Sequence, residues 1–138
     1  MWLNQQTIDA IRIMADLASR WPERARASDL PEVTGITLMN VQKTVHQLGL
    51  AQLLETQRGR NGGIRLARAP EAISVGEIVR AFEPTDCPVS FLAGSETEHA
   101  ISHLLFRAHR GFFQPLETMT LDQLARDPPG RQAARPAP

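Results

Sequence analysis

The chain has 138 residues, one cysteine, and charges that cancel, with 15 Lys and Arg against 15 Asp and Glu. That length sets one domain with a modest core. The lone Cys87 excludes an internal disulfide and suits a reducing compartment, and no run of about 18 apolar residues marks a membrane span. The neutral total hides an asymmetry, with nine basic against six acidic residues before Pro70 and six against nine from there on. This is the sign expected if the first half meets a polyanion.

The opening stretch, MWLNQQTIDAIRIMADLA, lacks the basic region and apolar run of an export signal, so a soluble, cytoplasmic protein with no membrane partner is expected. From Thr7 to Arg20, Ile8, Ile11, Ala15 and Ala18 recur at helical spacing, with Thr7 placed to cap the first turn. After Trp21-Pro22, Ser28 is placed to cap a short second helix, SDLPEVT, whose Pro31 falls where a missing N–H costs little. Gly35 supplies a turn. A third helix begins at Thr37 and runs through LMNVQKTVHQLGL, with Leu38, Val41, Val45 and Leu48 on one side. At about 100° per residue, Lys43 stands opposite that stripe, Asn40 and Gln47 lie beside it, and Gln42 and His46 are on its shoulders. Two short helices joined by a glycine turn, the second polar on its outer face, have the organisation of a helix-turn-helix.

Next come AQLLETQ and GIRLAR, two runs of alternating character, with RGRNGG between them. They predict a β-hairpin whose Asn61-Gly62 pair takes positive φ at a tight turn. A hairpin directly after a helix-turn-helix is a wing. Arg58 and Arg60 then sit at its tip, where glycines let the backbone approach a phosphate or enter a narrow groove, and Arg65 and Arg68 line the returning strand.

ISVGEIVRAFEP predicts a short helix through Ile73, Val75, Ile78, Val79 and Phe82 that stops at Pro84. TDCPVSFLAGSETE reads as a loop. From about Glu98 a longer helix carries Ile101, Leu104, Leu105, Ala108, Phe112 and Leu116 on one stripe; Pro115 is expected to bend it or end it a turn early. Thr120 is placed to cap a final turn, TLDQLAR, and DPPGRQAARPAP has the composition of a disordered tail. An apolar helix outside the winged domain needs a partner, and a second copy of itself is the simplest. The fold class expected is mainly α with a small β-hairpin wing. A winged helix-turn-helix DNA-binding domain covers 1–84, a sensor loop 85–97, a dimerisation helix 98–126 and the tail 127–138. The sequence has no Gly-rich phosphate loop ending in G-K-[ST], no H-E-x-x-H and no G-x-S-x-G, so an enzyme is not expected.

These residues resemble the Rrf2 family of bacterial winged-helix regulators, and RGRNGGIRLARAPEAISVGEIVRAFEP is most similar to its nitric-oxide-sensing NsrR branch. The resemblance runs from about Leu3 through TMTLDQLA. It implies a homodimeric transcriptional regulator, a repressor, with two winged domains on a roughly palindromic operator in double-stranded DNA. Carried onto this chain, the recognition helix is Thr37 to Leu48, with Gln42 and Lys43 at its base-reading positions, and the wing is Arg58 to Gly63. The expected DNA contacts are Thr37, Asn40, Gln42, Lys43, His46, Gln47, Arg58, Arg60, Asn61, Gly62 and Gly63.

The resemblance also implies an iron-sulfur cluster, which the branch and its relative IscR hold through three cysteines in the loop before the dimerisation helix. Cys87 matches the first, but Ala93 stands at the second position and His99 at the third. A carboxylate near the start of helix one completes the site from the other subunit in that branch; Ile8 holds the position here, and Asp9 lies one residue on. The expected ligands are therefore Cys87 and His99, with Asp9 and His103 next and Asp86, Glu96 and Glu98 within reach. One thiolate with imidazole or carboxylate partners favours a two-iron cluster over a four-iron one. The alternative is a cluster-free winged-helix regulator that responds through Cys87 oxidation or another ligand. A third reading is a winged domain used for protein contacts without DNA.

Overall fold

In a computed structural model of the chain, residues 3–85 and 94–126 are described. Cys87, Asp86 and Ala93 of the expected sensor loop, and the tail 127–138, lie outside the described residues.

Helix α1 (Gln5–Ser19) starts before the expected Thr7, because Asn4 is its cap: the Asn4 side chain accepts from the Thr7 N–H at 2.8 Å. Thr7 sits inside the first turn, fully buried, and its hydroxyl donates to the Glu83 carboxylate. The buried face is also rotated from the expected stripe. Ala10, Ile13, Met14 and Leu17 are in the core, while Ile8, Ile11, Ala15 and Ala18 are half-buried at its edges. The helix is apolar around much of its circumference, and the neighbours that pack on it decide which arc is centred inward.

Ser28 does not cap the second helix. Ala27–Asp29 form a 3-10 turn, and α2 (Leu30–Thr34) follows with Pro31 in its first turn and Gly35 left-handed at φ 73°. Helix α3 (Leu38–Leu50) has Thr37 as its cap, accepting from the Asn40 N–H. Val41, Thr44, Val45 and Leu48 are buried, and Leu38 is exposed. The inward arc therefore includes a threonine and excludes a leucine, contrary to the apolar pattern.

Strands β1 (Leu54–Gln57) and β2 (Gly63–Leu66) pair antiparallel, with Leu54 opposite Leu66 and Gln57 opposite Gly63. Positive φ falls at Gly59 (105°) and Gly63 (134°), not at Asn61-Gly62. The connection is the longer stretch Arg58 to Gly62, closed by Gly62 N–H donating to Gly59 O at 3.0 Å, so the primed two-residue turn is not needed. Ala25 bridges to Ile64 in both directions, at 2.9 and 2.7 Å, and ties the wing to the chain before α2.

Helix α4 (Val75–Phe82) opens with a capping box in which the Ser74 hydroxyl accepts from the Glu77 N–H while Glu77 accepts from the Ser74 N–H at 2.9 Å. Burial alone would raise the Glu77 pKa, but the bonds from Arg68 and Ser74 outweigh it and hold the carboxyl below its ordinary 4.5. A lowered carboxyl stabilises the fold above its unfolded pKa, and that contribution is lost as pH falls through the folded value. Glu77→Gln keeps an oxygen to accept from the Ser74 N–H but removes the charge that Arg68 meets at a part-exposed site, and should therefore cost about 0.5 kcal/mol at neutral pH. In urea denaturation the gap between variant and wild type should close below pH 4.5, and a gap that persists at acid pH would refute the assignment.

Helix α5 (Glu96–Thr118) begins two residues before the expected Glu98, because Ser95 and Glu98 form a second capping box. Pro115 does not end it. The helix continues to Thr118, held past the proline by an Arg80–Glu117 ion pair and by the Thr118 hydroxyl on the Gln114 and Pro115 carbonyls. Helix α6 (Leu121–Arg126) is capped by Thr120 as expected, its hydroxyl accepting from the Gln123 N–H.

Helices α5 and α6 are not separate from the winged domain. Phe113 packs on Val75 and Val79, Leu121 is fully buried in the main core, and the strand-like bonds Val75 N–H to Met119 O and Leu121 N–H to Ile73 O, both 2.9 Å, bind the two parts. The crossing of α4 and α5 is close at Gly76, where a Cβ would lie 2.8 Å from Glu117 Cγ and 3.0 Å from its Cα. Alanine ordinarily strengthens a helix over glycine, but here overpacking should win, and Gly76→Ala is expected to destabilise by about 1–3 kcal/mol. Thermal denaturation checks the sign: a raised midpoint would show that α5 can move aside freely.

Candidate nucleic-acid interface

The inward arc of α3 leaves Met39, Asn40, Gln42, Lys43, His46 and Leu50 exposed. Gln47 is not among them. It is half-buried, its Nε2 donates to Ala81 O at 2.9 Å, and Gln6 Nε2 donates to its Oε1. This corrects its expected place on the reading face: it buttresses α3 against α1 and α4. The exposed residues present amide, ammonium, imidazole and apolar groups at the spacing of successive helical turns, a mixture that can address base edges and thymine methyl groups. A groove of about 370 Å³ runs between this face and the wing, lined by Gln42, His46 and Leu50 on one side and Thr56 and Ile64 on the other.

The four arginines of the wing segment separate into two pairs. Arg65 reaches back across the hairpin to Glu55 at 2.9 Å and lies over the Trp21 ring at 5.9 Å. Arg68 meets Glu77 at 2.6 Å. Arg65 lies on the returning strand β2 and Arg68 just past its end, and both guanidinium groups are taken up by carboxylates of the fold. Arg58 and Arg60 are exposed with Asn61 at the loop, and among the described residues neither forms an ion pair. Gly62 and Gly63 are half-buried and shape the loop: a Cβ on Gly62 would collide with Gln57 O.

Sequence reasoning missed Arg26. It is exposed just after Ala25, the residue bridged to β2, so it stands between the wing base and the start of α2. The pair of arginines in ERARAS is the available signal, but its use depends on the Ala25–Ile64 bridge. Arg24, by contrast, is turned to Gly63 O and Glu55. Exposed Met39 and Leu50 also escape the sequence pattern, because apolar residues on an amphipathic helix read as core.

Among the described residues the metal-ligand candidates do not come together. His99 and His103 lie one turn apart on the exposed first half of α5, and His99 Nδ1 is 2.9 Å from Ser95 O. Glu98 is occupied with the cap of that helix. Asp9 is on α1, buried against α3 and bonded by Gln5 Nε2. Among the described residues no three His, Cys, Asp or Glu side chains converge on one point. Among those residues no helix is long and apolar enough to cross a membrane.

Helix α5 exposes Ile101, Leu104, Leu105 and Phe106. Ile101, Leu104, Leu105 and Ala108 share one stripe, about a third of a turn from the face that carries Phe113.

Residues 3–127 match the family Rrf2, described as an iron-dependent transcriptional regulator. The HTH-type transcriptional regulator NsrR of Bacillus licheniformis is 30% identical over 131 residues, 90% of this chain and 92% of that protein. NsrR of Geobacillus kaustophilus is 33% identical over 134 residues, 92% of this chain and 91% of that protein. Among solved structures, CymR, the global cysteine regulator of B. subtilis, superposes with a TM-score of 0.78 at 26% identity, covering 91% of this chain and 96% of that one. IscR of T. potens has the same fold, with a TM-score of 0.75 at 22% identity over 100% of this chain and 94% of that one.

Proposed function

This chain belongs to the Rrf2 family of transcriptional regulators, and on that premise we propose that it acts as a homodimeric repressor that binds a roughly palindromic operator. Two α3 helices enter successive major grooves about one helical turn apart, and the wings contact the flanking backbone. The observation that carries the reading is the division of the wing arginines: two are neutralised by Glu55 and Glu77, and two remain at the tip beside an exposed polar helix face. Gln42 and Lys43 read bases, with Asn40 and His46 beside them and Thr37 at the helix start. Arg58, Arg60 and Arg26 hold phosphates or a narrow groove. An operator selected from random duplexes should bind with affinity that falls steeply with salt. Failure to enrich any duplex would leave the winged domain as a protein-contact module.

For sensing, the donor set does not fit an iron-sulfur cluster held within one protomer. Such clusters are held by several thiolates, in some cases with imidazoles. The chain has one cysteine, and among the described residues His99, His103 and Asp9 do not form one cluster. The cluster-free alternative is therefore the reading adopted: regulation acts through the Cys87 thiol or through another ligand. Protein purified without oxygen should be colourless and lack stoichiometric iron and sulfide. Iron and sulfide present in the wild type and lost in Cys87→Ala would reverse this and establish a cluster with an unusual ligand set.

A further inference from the structure

Behind the recognition helix, α1 and α3 leave a cleft of about 170 Å³, with Gln5, Gln6 and Asp9 on one wall and Asn40, Lys43 and Thr44 on the other. The walls carry opposite charges. Asp9 is 6% exposed and accepts from Gln5 Nε2 at 2.9 Å. Lys43 faces it from α3, and the two form no ion pair with each other. Thr44 also lines the cleft; it is 1% exposed, and its buried hydroxyl has no hydrogen-bond partner among the described residues. Buried polar groups are rarely left in that state without a ligand or water to meet them.

An acidic and a basic side chain on opposite walls of a small cleft suit a molecule that carries both charges in the opposite order. We propose that the cleft binds a small α-amino acid as its zwitterion, with the ammonium at Asp9, the carboxylate at Lys43 and the Thr44 hydroxyl and three amides completing the shell. The volume admits glycine, alanine or serine. A divalent cation is a poorer occupant, since the site offers one carboxylate and places an ammonium beside it.

The regulatory consequence rests on the DNA-binding reading, because Asn40 and Lys43 belong both to the cleft and to the exposed face of α3. A bound carboxylate holds Lys43 toward α1 and neutralises one cation in each recognition helix. Amino acid and operator then oppose each other, and the coupling is reciprocal.

Calorimetry of the full chain without DNA tests the site, using glycine, L-alanine and L-serine, with acetate and methylammonium as half-ligands and magnesium as the competing cation. At least one amino acid should bind saturably, one per protomer. Binding should weaken roughly tenfold or more in Asp9→Asn and in Thr44→Val, each checked for folding by circular dichroism, and neither half-ligand should saturate. No binding by any of the three amino acids, or equal binding in both variants, overturns the proposal. Saturable magnesium binding lost in Asp9→Asn would put a cation there instead. With DNA present, the bound amino acid should lower operator affinity roughly tenfold; an unchanged affinity would overturn the regulatory half. Amino-acid binding by a protein that binds no duplex would sink the DNA reading and leave the cleft assignment standing. Duplex binding without amino-acid binding would do the reverse.

Discussion

Replacing Leu104 and Leu105 together with glutamate is expected to convert the protein to monomers and to weaken its hold on a full palindromic operator by about 100-fold or more. Both leucines are exposed on the first half of α5, with Ile101 on the same stripe, while the second half of that helix is anchored through Phe113. An apolar stripe on a helix that the other described residues leave uncovered would be stabilised by burial against a second copy in the proposed dimer, at about 1.5–3 kcal/mol for each large side chain fully removed from water. Two carboxylates placed in that contact would lose the burial and add like-charge repulsion across the two-fold axis. Because the sites are exposed in the single chain, its melting temperature should change little once monomeric wild type is the reference. Sedimentation equilibrium gives the oligomeric state, and titration against one half-site and against two separates intrinsic affinity from the linkage of sites. A double variant that remains dimeric would remove α5 as the interface.

The second large effect is expected from Lys43→Ala combined with Arg60→Ala. Each change removes a cation that has no ion-pair partner among the described residues and lies outside the core, so stability should be nearly unaffected. Each lost contact to base or phosphate costs about 1–3 kcal/mol, and a dimer loses each one twice, so operator affinity should fall by at least about 100-fold. The single variants should differ in kind. Arg60→Ala should weaken binding to all sequences alike and make the slope of log K against log salt shallower by about two per dimer, one phosphate for each wing. Lys43→Ala should instead narrow the gap between the selected operator and its point variants. Arg65→Ala and Arg68→Ala are the controls, since Glu55 and Glu77 already occupy those guanidinium groups; their operator affinity should stay within a few-fold of wild type. A double variant with undiminished binding would move the DNA face elsewhere.

The order of the elements is legible in the amino-acid sequence, and so is the type of each. Helical spacing, the Thr37 and Thr120 caps, the Pro31 and Gly35 positions and the glycine-rich hairpin are written within a few residues of where they act. Local signals also mislead by small amounts. Asn4 and Thr7 are both capping residues, and only the bond from the Thr7 N–H to Asn4 identifies the cap. Pro115 carries a strong stop signal, overridden by the Arg80–Glu117 pair and the packing around it.

What the sequence by itself determined is a helix-turn-helix with a wing, followed by an amphipathic helix too apolar to stand alone, because periodicity and turn chemistry act over short separations. Which of its polar residues are free to meet DNA was decided only by the tertiary structure. Gln47 is taken by Ala81, Arg68 by Glu77, Arg65 by Glu55 and the neighbourhood of Trp21, and Glu117 closes over Gly76. Those partners lie from nine to more than forty residues away along the chain. A side chain's availability depends on which opposite charge or carbonyl the fold brings within about 3 Å, and no local pattern carries that information.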